Sequence, residues 1–492
     1  MDTPLIEADY VIVGAGAAGM AFADELLTAS DATMAIVDRR QAPGGHWNDA
    51  YPFVRLHGPS EHYGVNSRPL GNGGLEAVGA NRGLPERASG AAIREHFDAV
   101  MRERLLPSGR VRYLPMHEWQ ADPASPASGA AVSRLGPQRL RLHARRRVVD
   151  ATRAETELPG THAPPFEVAA AVRWVAPHQL TMLQEPASGY TIVGGGKTAI
   201  DTVLWLLEQG VAADLIRWVR PREAWLLNRA DLQPSWAYFG RSLAAQARQL
   251  ELASAATGID DYFVRLEAAG LMMRIDPQVT PTMFRCALVS EGELQELRRV
   301  RHVVRAGHVR VLERDRIVLE RGVLPLPAGH VVVHCAANGI PPRPAEPAFQ
   351  GARLVLHYVR RCAPSFSAAL LARLEVATLD DERRNAMSRA VPAPQVPADW
   401  LRTQLQEVHN ELGWRSLPDL AEWLGSARLA GVSPLLARAA REGTPEIAAL
   451  MQRLRHARGR GLGGMARLLA AVQAEGEQGP QPLARRALAV ES

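Results

Sequence analysis

Apolar and polar positions along the chain alternate in a way that repeats one three-part unit. Tyr10 to Val13 is a short apolar run that leads directly into Gly14-Ala-Gly16-Ala-Ala-Gly19, and Met20 to Leu27 follows as a stretch rich in Ala and Leu. That order predicts strand, tight turn and helix. A second apolar run, Met34 to Val37, ends in Asp38 and completes a β-α-β unit. The same grammar returns at Tyr190 to Val193, with Gly194-Gly-Gly196-Lys197-Thr198-Ala199, a helix over Ile200 to Gln209, and a strand over Leu215 to Val219.

Between the units, residues 43–90 are rich in Gly, Pro, Asn and His and have little periodicity, so they predict long loops of the kind that line a ligand site. Ala91 to Leu106 predicts a helix, and Pro123 to Pro137 a surface loop or an eroded hairpin. Residues 230–275 predict a mostly helical insertion, a candidate cap over a substrate site. Val309 to Leu326 reads as a strand meander, His330 to His334 as a strand, and Pro364-Ser365-Phe366-Ser367 as a Ser-capped helix start. Beyond Pro392 the chain reads as helical, with Trp400, Trp414 and Trp423 placed for packing. The predicted fold is α/β, with two Rossmann-like dinucleotide-binding domains, the second inserted in the first, and a mostly helical C-terminal region. The predicted boundaries are 1–185 and 326–390 for the first domain, 186–325 for the second, and 391–492 for the helical region.

With 492 residues, 47% of them hydrophobic, the chain can build several cores, which excludes a small binding module. Lys plus Arg outnumber Asp plus Glu by only 57 to 52, and the basic runs at Arg145-Arg146-Arg147 and 453–460 read as solvated faces, so no nucleic-acid partner is expected. The acidic start (Asp2, Glu7, Asp9) does not read as a secretion signal, and there is no uncharged apolar run long enough to span a bilayer. The three cysteines, Cys286, Cys335 and Cys362, form no CxxC or CxxxxC pair, so no redox disulfide is expected, and a reducing, cytoplasmic setting is. A homo-oligomer is left open.

In the first unit, Gly14 permits the sharp turn, Gly16 lets the backbone approach a pyrophosphate, and Gly19 lets the helix pack on its strand. The helix N-terminus offers free N–H groups to phosphate. Asp38, nineteen residues past Gly19, is placed to accept both hydroxyls of an adenosine ribose, which points to FAD or NAD. In the second unit, Gly194, Gly196 and Ala199 form GxGxxA. Where an NAD site would carry a carboxylate, the chain reads Arg217-Trp218-Val219-Arg220-Pro221-Arg222. Guanidinium forks at Arg220 and Arg222 match a 2′-phosphate, so NADPH is expected over NADH, with Glu223 as a counterweight. Lys197 and Thr198 are further cofactor-binding candidates. Gly196-Lys197-Thr198 is not a triphosphate loop, because Thr191 stands where that motif needs Gly.

Gly44-Gly45-His46-Trp47 resembles the GGxW motif of flavin-containing monooxygenases and their Baeyer–Villiger and N-hydroxylating relatives. Ala336-Ala337-Asn338-Gly339 resembles the A-T-G segment of the same superfamily. The resemblance covers residues 8–375 and lacks the FxGxxxHxxx fingerprint, whose nearest text is Trp174-Val-Ala-Pro-His178. It implies FAD at the first site, with Gly45, Trp47 and Gly339 beside it. It also implies a late helix, near Ser367, aimed at the flavin pyrimidine ring, and His57 in place of a catalytic Asn at the flavin edge. The implied activity is hydride transfer from NADPH to FAD, then oxygen activation as a C4a-peroxyflavin that oxidises a small organic substrate at nitrogen, sulfur or carbonyl carbon. At that edge His57 would donate a hydrogen bond or exchange a proton near neutral pH. Two alternatives remain: an NAD(P)H-dependent flavoprotein reductase that inserts no oxygen, and a nucleotide-sensing protein without turnover. No metal is expected.

Overall fold

A computed structural model describes residues 4–478; Asp2 of the acidic start lies outside them. The first sheet is built on β1 (Leu5–Val13), flanked in parallel by β2 (Met34–Val37) and β6 (Arg139–Asp150). Beyond β2 lies β3 (Val111–Leu114). The stretch that reads as a loop or eroded hairpin is a hairpin, β4 (His117–Asp122) and β5 (Ser125–Ser133), paired to β6. Between β1 and β2 runs α1 (Ala17–Ala29), and ahead of β3 runs α2 (Gly90–Val100).

The second sheet has the order β14 (His302–Val304), β10 (Ile216–Val219), β9 (Gly189–Val193), β18 (His330–His334), β8 (Trp174–Val175), all parallel. A turn of helix, α3 (Pro177–Leu180), precedes β9, and α4 (Lys197–Glu208) follows it. Two predicted boundaries shift accordingly. The predicted boundaries put β18 in the returning first domain and β8 in its first part, yet both pair within the second sheet. Their short apolar runs have no polarity pattern that would tell one parallel sheet from another. A four-stranded meander of β7 (Glu167–Val168), β15 (Val309–Leu312), β16 (Arg316–Leu319) and β17 (Gly322–Pro325) covers that sheet.

The helical insertion is α5 (Trp236–Ala255) and α6 (Ile259–Ala268), on a small sheet of β12 (Met272–Met273), β11 (Ala224–Asn228) and β13 (Met283–Val289), with α7 (Glu291–Leu297) beyond. The chain re-enters the first sheet through β19 (Phe349–Gln350) and β20 (Arg353–Val355), which pairs with β6. Then α8 (Pro364–Val376) packs on α1. Leu370, Leu371 and Leu374 of α8 are fully buried, so truncating any one to Ala costs about 2–5 kcal/mol.

The C-terminal helices are α9 (Asp381–Met387), α10 (Pro397–Arg415), α11 (Pro418–Ser426), α12 (Ser433–Glu442) and α13 (Pro445–Gln478). Trp414 and Trp423 pack on Phe366 of α8, Trp400 packs on Phe284 of β13, and α13 packs along α5. The predicted cap thus spends one face of α5 on the C-terminal helix. Among the described residues no helix is long and apolar enough to cross a membrane. The basic triplet is no open stripe: Arg145 pairs with Asp9, and Arg147 pairs with Glu375 and Asp381.

Candidate active site

The first glycine turn has the geometry its sequence implies. Gly14 has φ +103°, and a Cβ on Gly19 would lie 1.9 Å from the Gly14 carbonyl oxygen, so neither place admits a side chain. Helix α1 starts at Ala17 with no side-chain cap and no acidic residue in its first turn, which leaves its N–H groups free for an anion. Asp38 is buried at the end of β2; one carboxylate oxygen accepts from the Ala15 N–H at 2.6 Å and the other from the Arg40 N–H at 2.7 Å. Burial raises its pKa, opposed by those two bonds. The Gly44–Trp47 segment folds onto this turn. Gly44 N–H donates to the Ala15 carbonyl at 2.8 Å, and a Cβ on Gly45 would come within 2.9 Å of the Gly16 Cα. Trp47 is buried and donates from Nε1 to the Tyr63 hydroxyl at 2.7 Å.

The second turn matches in outline. Gly194 has φ +138°, Gly196 caps α4, and Ala199, fully buried, takes the third-glycine place. The arginines divide. Arg220 is 2% exposed, lies over the Trp218 ring and pairs with Glu223 at 3.0 Å, while its Nε and Nη1 have no partner among the described residues. Burial lowers its pKa to about 10. Glu223, the counterweight, is also held by Arg305 at 2.7 Å. Arg217 bonds the Pro325 carbonyl on the far side of the strand. Arg222 is exposed, and its backbone carbonyl lies 2.8 Å from where a Cβ on Gly195 would be, so its backbone runs beside the glycine loop.

Lys197, the first residue of α4, pairs with Asp201 one helical turn along. Thr198, partly buried, uses its carbonyl to accept from the Thr202 hydroxyl. Gly339, at φ +67°, accepts from the Glu157 N–H at 2.7 Å. The Ser-capped start of α8 is corrected: Ala363 is the N-cap and Pro364 starts the helix, so Ser365 and Ser367 fall inside it. The Ser367 hydroxyl, buried, accepts from the Val359 N–H at 3.1 Å and so stabilises the preceding loop.

His57 lies where both units meet. With Lys197, Asp201, Arg229, Leu288 and Glu293 it lines a cavity of about 10 Å³, room for about one oxygen atom. Its Nδ1 accepts from the Leu288 N–H at 3.3 Å, which leaves the proton on Nε2. Enclosure first, then the charges of Lys197, Arg229 and Arg87, hold its pKa well below the usual imidazole range. Of the two expected roles, hydrogen-bond donation and proton exchange, this shift favours donation from Nε2 by a neutral ring.

Four residues of this cluster, Tyr51, Asp201, Arg229 and Glu293, carry no glycine-type signature. The Tyr51 hydroxyl donates to Asp201 at 2.7 Å, and nearby Phe53 stacks on Trp205 of α4. Glu293 accepts from Arg87 and Asn81 at 2.8 Å on one oxygen, and from Arg229 at 2.7 Å and the Ser290 N–H at 2.9 Å on the other. These cations draw its pKa down to about 2 against the burial that would raise it. Arg229, 3% exposed, keeps Nε and Nη1 without a partner among the described residues. None of the four was singled out by the sequence; for Glu293 alone a signal exists, the Ser290-x-x-Glu293 capping box of α7.

The expectation of no redox disulfide rested on the lack of a CxxC or CxxxxC pair, yet the chain holds a disulfide outside any such motif. Cys286 and Cys362 are bonded across 76 residues, a pairing by tertiary contact that no spacing motif reveals, while Cys335 is free and buried.

Comparison with known proteins agrees with the fold. Residues 12–66 match the family model of the NAD(P)-binding Rossmann-like domain. An uncharacterized protein of Mycobacterium tuberculosis is 44% identical over 431 residues, which is 88% of this chain and 79% of that one. The chain belongs to the same family as that protein. Among solved structures, a flavin-containing monooxygenase from Stenotrophomonas maltophilia is 14% identical, with TM-score 0.43 over 75% of this chain and 97% of that one. A polycyclic ketone monooxygenase from Thermothelomyces thermophila is 14% identical, with TM-score 0.46 over 94% and 89%. Overlaps at that level carry no chemistry across to this chain.

Proposed function

We propose that the chain is an FAD- and NADPH-dependent monooxygenase that oxidises a small organic substrate at nitrogen, sulfur or carbonyl carbon. One observation carries this reading: His57, from the loop after the first glycine turn, and Lys197, from the first turn of α4, line the same cavity. Two dinucleotides seated on the two turns would then meet at one place. Bound FAD would supply the hydride acceptor and the electrons for oxygen.

The chain supplies the rest. The free end of α1 and the Gly14–Gly19 turn would hold one pyrophosphate, with Asp38 on the ribose and the Gly45–Trp47 segment closing over it. The end of α4 would hold the other, with Gly194 and Gly196 giving close approach. Arg222, exposed and with its backbone beside the loop, is the better reader of a 2′-phosphate, and Arg220 supports the strand end from within. His57 Nε2 would donate a hydrogen bond without changing charge, while the unpartnered Arg229 N–H groups would meet an acceptor oxygen. Anaerobic mixing of the FAD-loaded protein with NADPH or NADH tests the reading. Rapid bleaching of the flavin, faster with NADPH, is expected; no bleaching with either would leave only the sensing alternative.

A further inference from the structure

Strand β13 runs along a seam with the returning first domain and the segment that follows it. Its Phe284 N–H donates to the Gln395 carbonyl, Arg285 Nη1 to the Asn338 carbonyl, and Leu288 N–H to His57 Nδ1. In the middle of that run, Cys286 reaches Cys362. The strand is bulged to allow it: Trp225 of β11 pairs with Phe284 and Leu227 with Leu288, so three residues of β13 oppose the single Leu226. Cys286, at the centre of the bulge, has φ +55°, and Cys362 has φ +52°. Left-handed backbone at a residue with a Cβ persists only where its surroundings fix it, and here the two cysteines fix each other.

We propose that Cys286 and Cys362 form a thiol–disulfide exchange site, with Cys362 the sulfur that reacts with low-molecular-weight disulfides and thiols and Cys286 the partner that resolves the adduct. The two sulfurs differ in the way such a site requires. Cys362 is exposed and lies one residue before the N-cap of α8, where the helix end favours a thiolate; Cys286 is 7% exposed and unreachable by a small disulfide in solution. The Cys362 thiolate attacks a disulfide R′S–SR′, forms a mixed disulfide and expels R′S⁻. The Cys286 thiolate then attacks the Cys362 sulfur and expels the second R′S⁻. Two protein thiols are oxidised, one small disulfide is reduced, and the two thiol protons end on two R′SH. A small thiol reverses both steps. The bond holds the bulge, and the bulge holds the Leu288 N–H against His57, so oxidation state is linked to the geometry of the proposed active site; this last link rests on the function proposed above.

The test uses the full-length FAD-loaded protein, reduced, desalted and then exposed to oxidised glutathione, with thiols counted by mass tagging after denaturation. The reduced protein should take three tags, one for each cysteine, and the oxidised protein one, on Cys335. Cys286→Ser should trap one glutathione on Cys362, and Cys362→Ser should leave Cys286 unmodified. Hydrogen exchange over residues 283–289 should be slower in the oxidised wild type than in the reduced. Three tags after glutathione treatment of the wild type, or an adduct on Cys286 in preference to Cys362, would overturn the site. Unchanged exchange in β13 would overturn the link to His57. NADPH bleaching measured on the same samples separates the two ideas: its failure removes the proposed function and leaves the thiol result standing.

Discussion

The Tyr51 hydroxyl donates a 2.7 Å hydrogen bond to the Asp201 carboxylate, joining the loop after the first glycine turn to helix α4 of the second unit across 150 residues. The same carboxylate neutralises Lys197. Burial, followed by Asp201, keeps the Tyr51 phenol far above its usual pKa, so it acts as a fixed donor. Tyr51→Phe should cost about 1 kcal/mol of stability, the net worth of one hydrogen bond, and leave Lys197 paired. Asp201→Asn should cost more, about 3 kcal/mol, because it strands a partly buried ammonium. Urea denaturation of the two variants checks the order; equal losses would mean that the Lys197 pair contributes nothing.

Gly19→Val should yield protein without bound flavin, or no folded protein, because its Cβ would lie 1.9 Å from a backbone oxygen. Gly14→Val is expected to behave alike through its φ of +103°. Gly16→Val is milder at the backbone, since a Cβ there would lie 3.6 Å from its nearest neighbour, the Gly45 Cα, so loss of colour with retained folding would come from the ligand's space. A yellow Gly16→Val protein with full FAD content would place the pyrophosphate elsewhere.

Both glycine turns, their strands and the insertion of one unit in the other were legible because each rests on local pattern: an apolar run, glycines at fixed offsets and a helix. The meander at Val309 to Leu326 was legible for the same reason. The charged cluster was not, because Tyr51, Asp201, Arg229 and Glu293 come from four distant segments and meet only after the two sheets pack. The sequence also does not say which arginine faces out. Arg220 and Arg222 are two residues apart on one strand end, but Trp218 and Glu223 draw Arg220 inward. Ser367 misled by composition alone, since Pro364 had already set the helix start.

Cofactor preference should follow that division. Arg222→Ala should weaken NADPH roughly 10- to 100-fold and leave NADH nearly unchanged, the loss of one charge-assisted bond. Arg220→Ala should instead lower stability and weaken both cofactors, because it frees a buried Glu223 from one of its two partners. Titration of each variant with both nucleotides checks this, and a selective NADPH loss on Arg220→Ala would return the assignment to that residue.

Acid should act on Glu293. Its pKa is drawn down to about 2 in the folded state, so the stability it contributes is complete above its unfolded value and is lost as pH falls through the folded one. A drop of that size corresponds to about 3 kcal/mol. Wild-type stability should therefore fall between about pH 4.5 and pH 2 more steeply than that of Glu293→Gln, which should be less stable at neutral pH. Parallel pH profiles for the two proteins would show that the cluster does not hold this carboxylate.

Oxygen transfer beside His57 is read out with isotopically labelled oxygen. The FAD-loaded protein is mixed with NADPH, labelled oxygen and a panel of amines, thioethers and ketones, and both labelled product and hydrogen peroxide are measured. At least one substrate should acquire one labelled oxygen atom per NADPH consumed, and His57→Ala should shift the yield from product to peroxide while NADPH consumption continues. NADPH consumption with no labelled product across the panel, and peroxide yields equal in wild type and His57→Ala, would contradict it and leave a reductase.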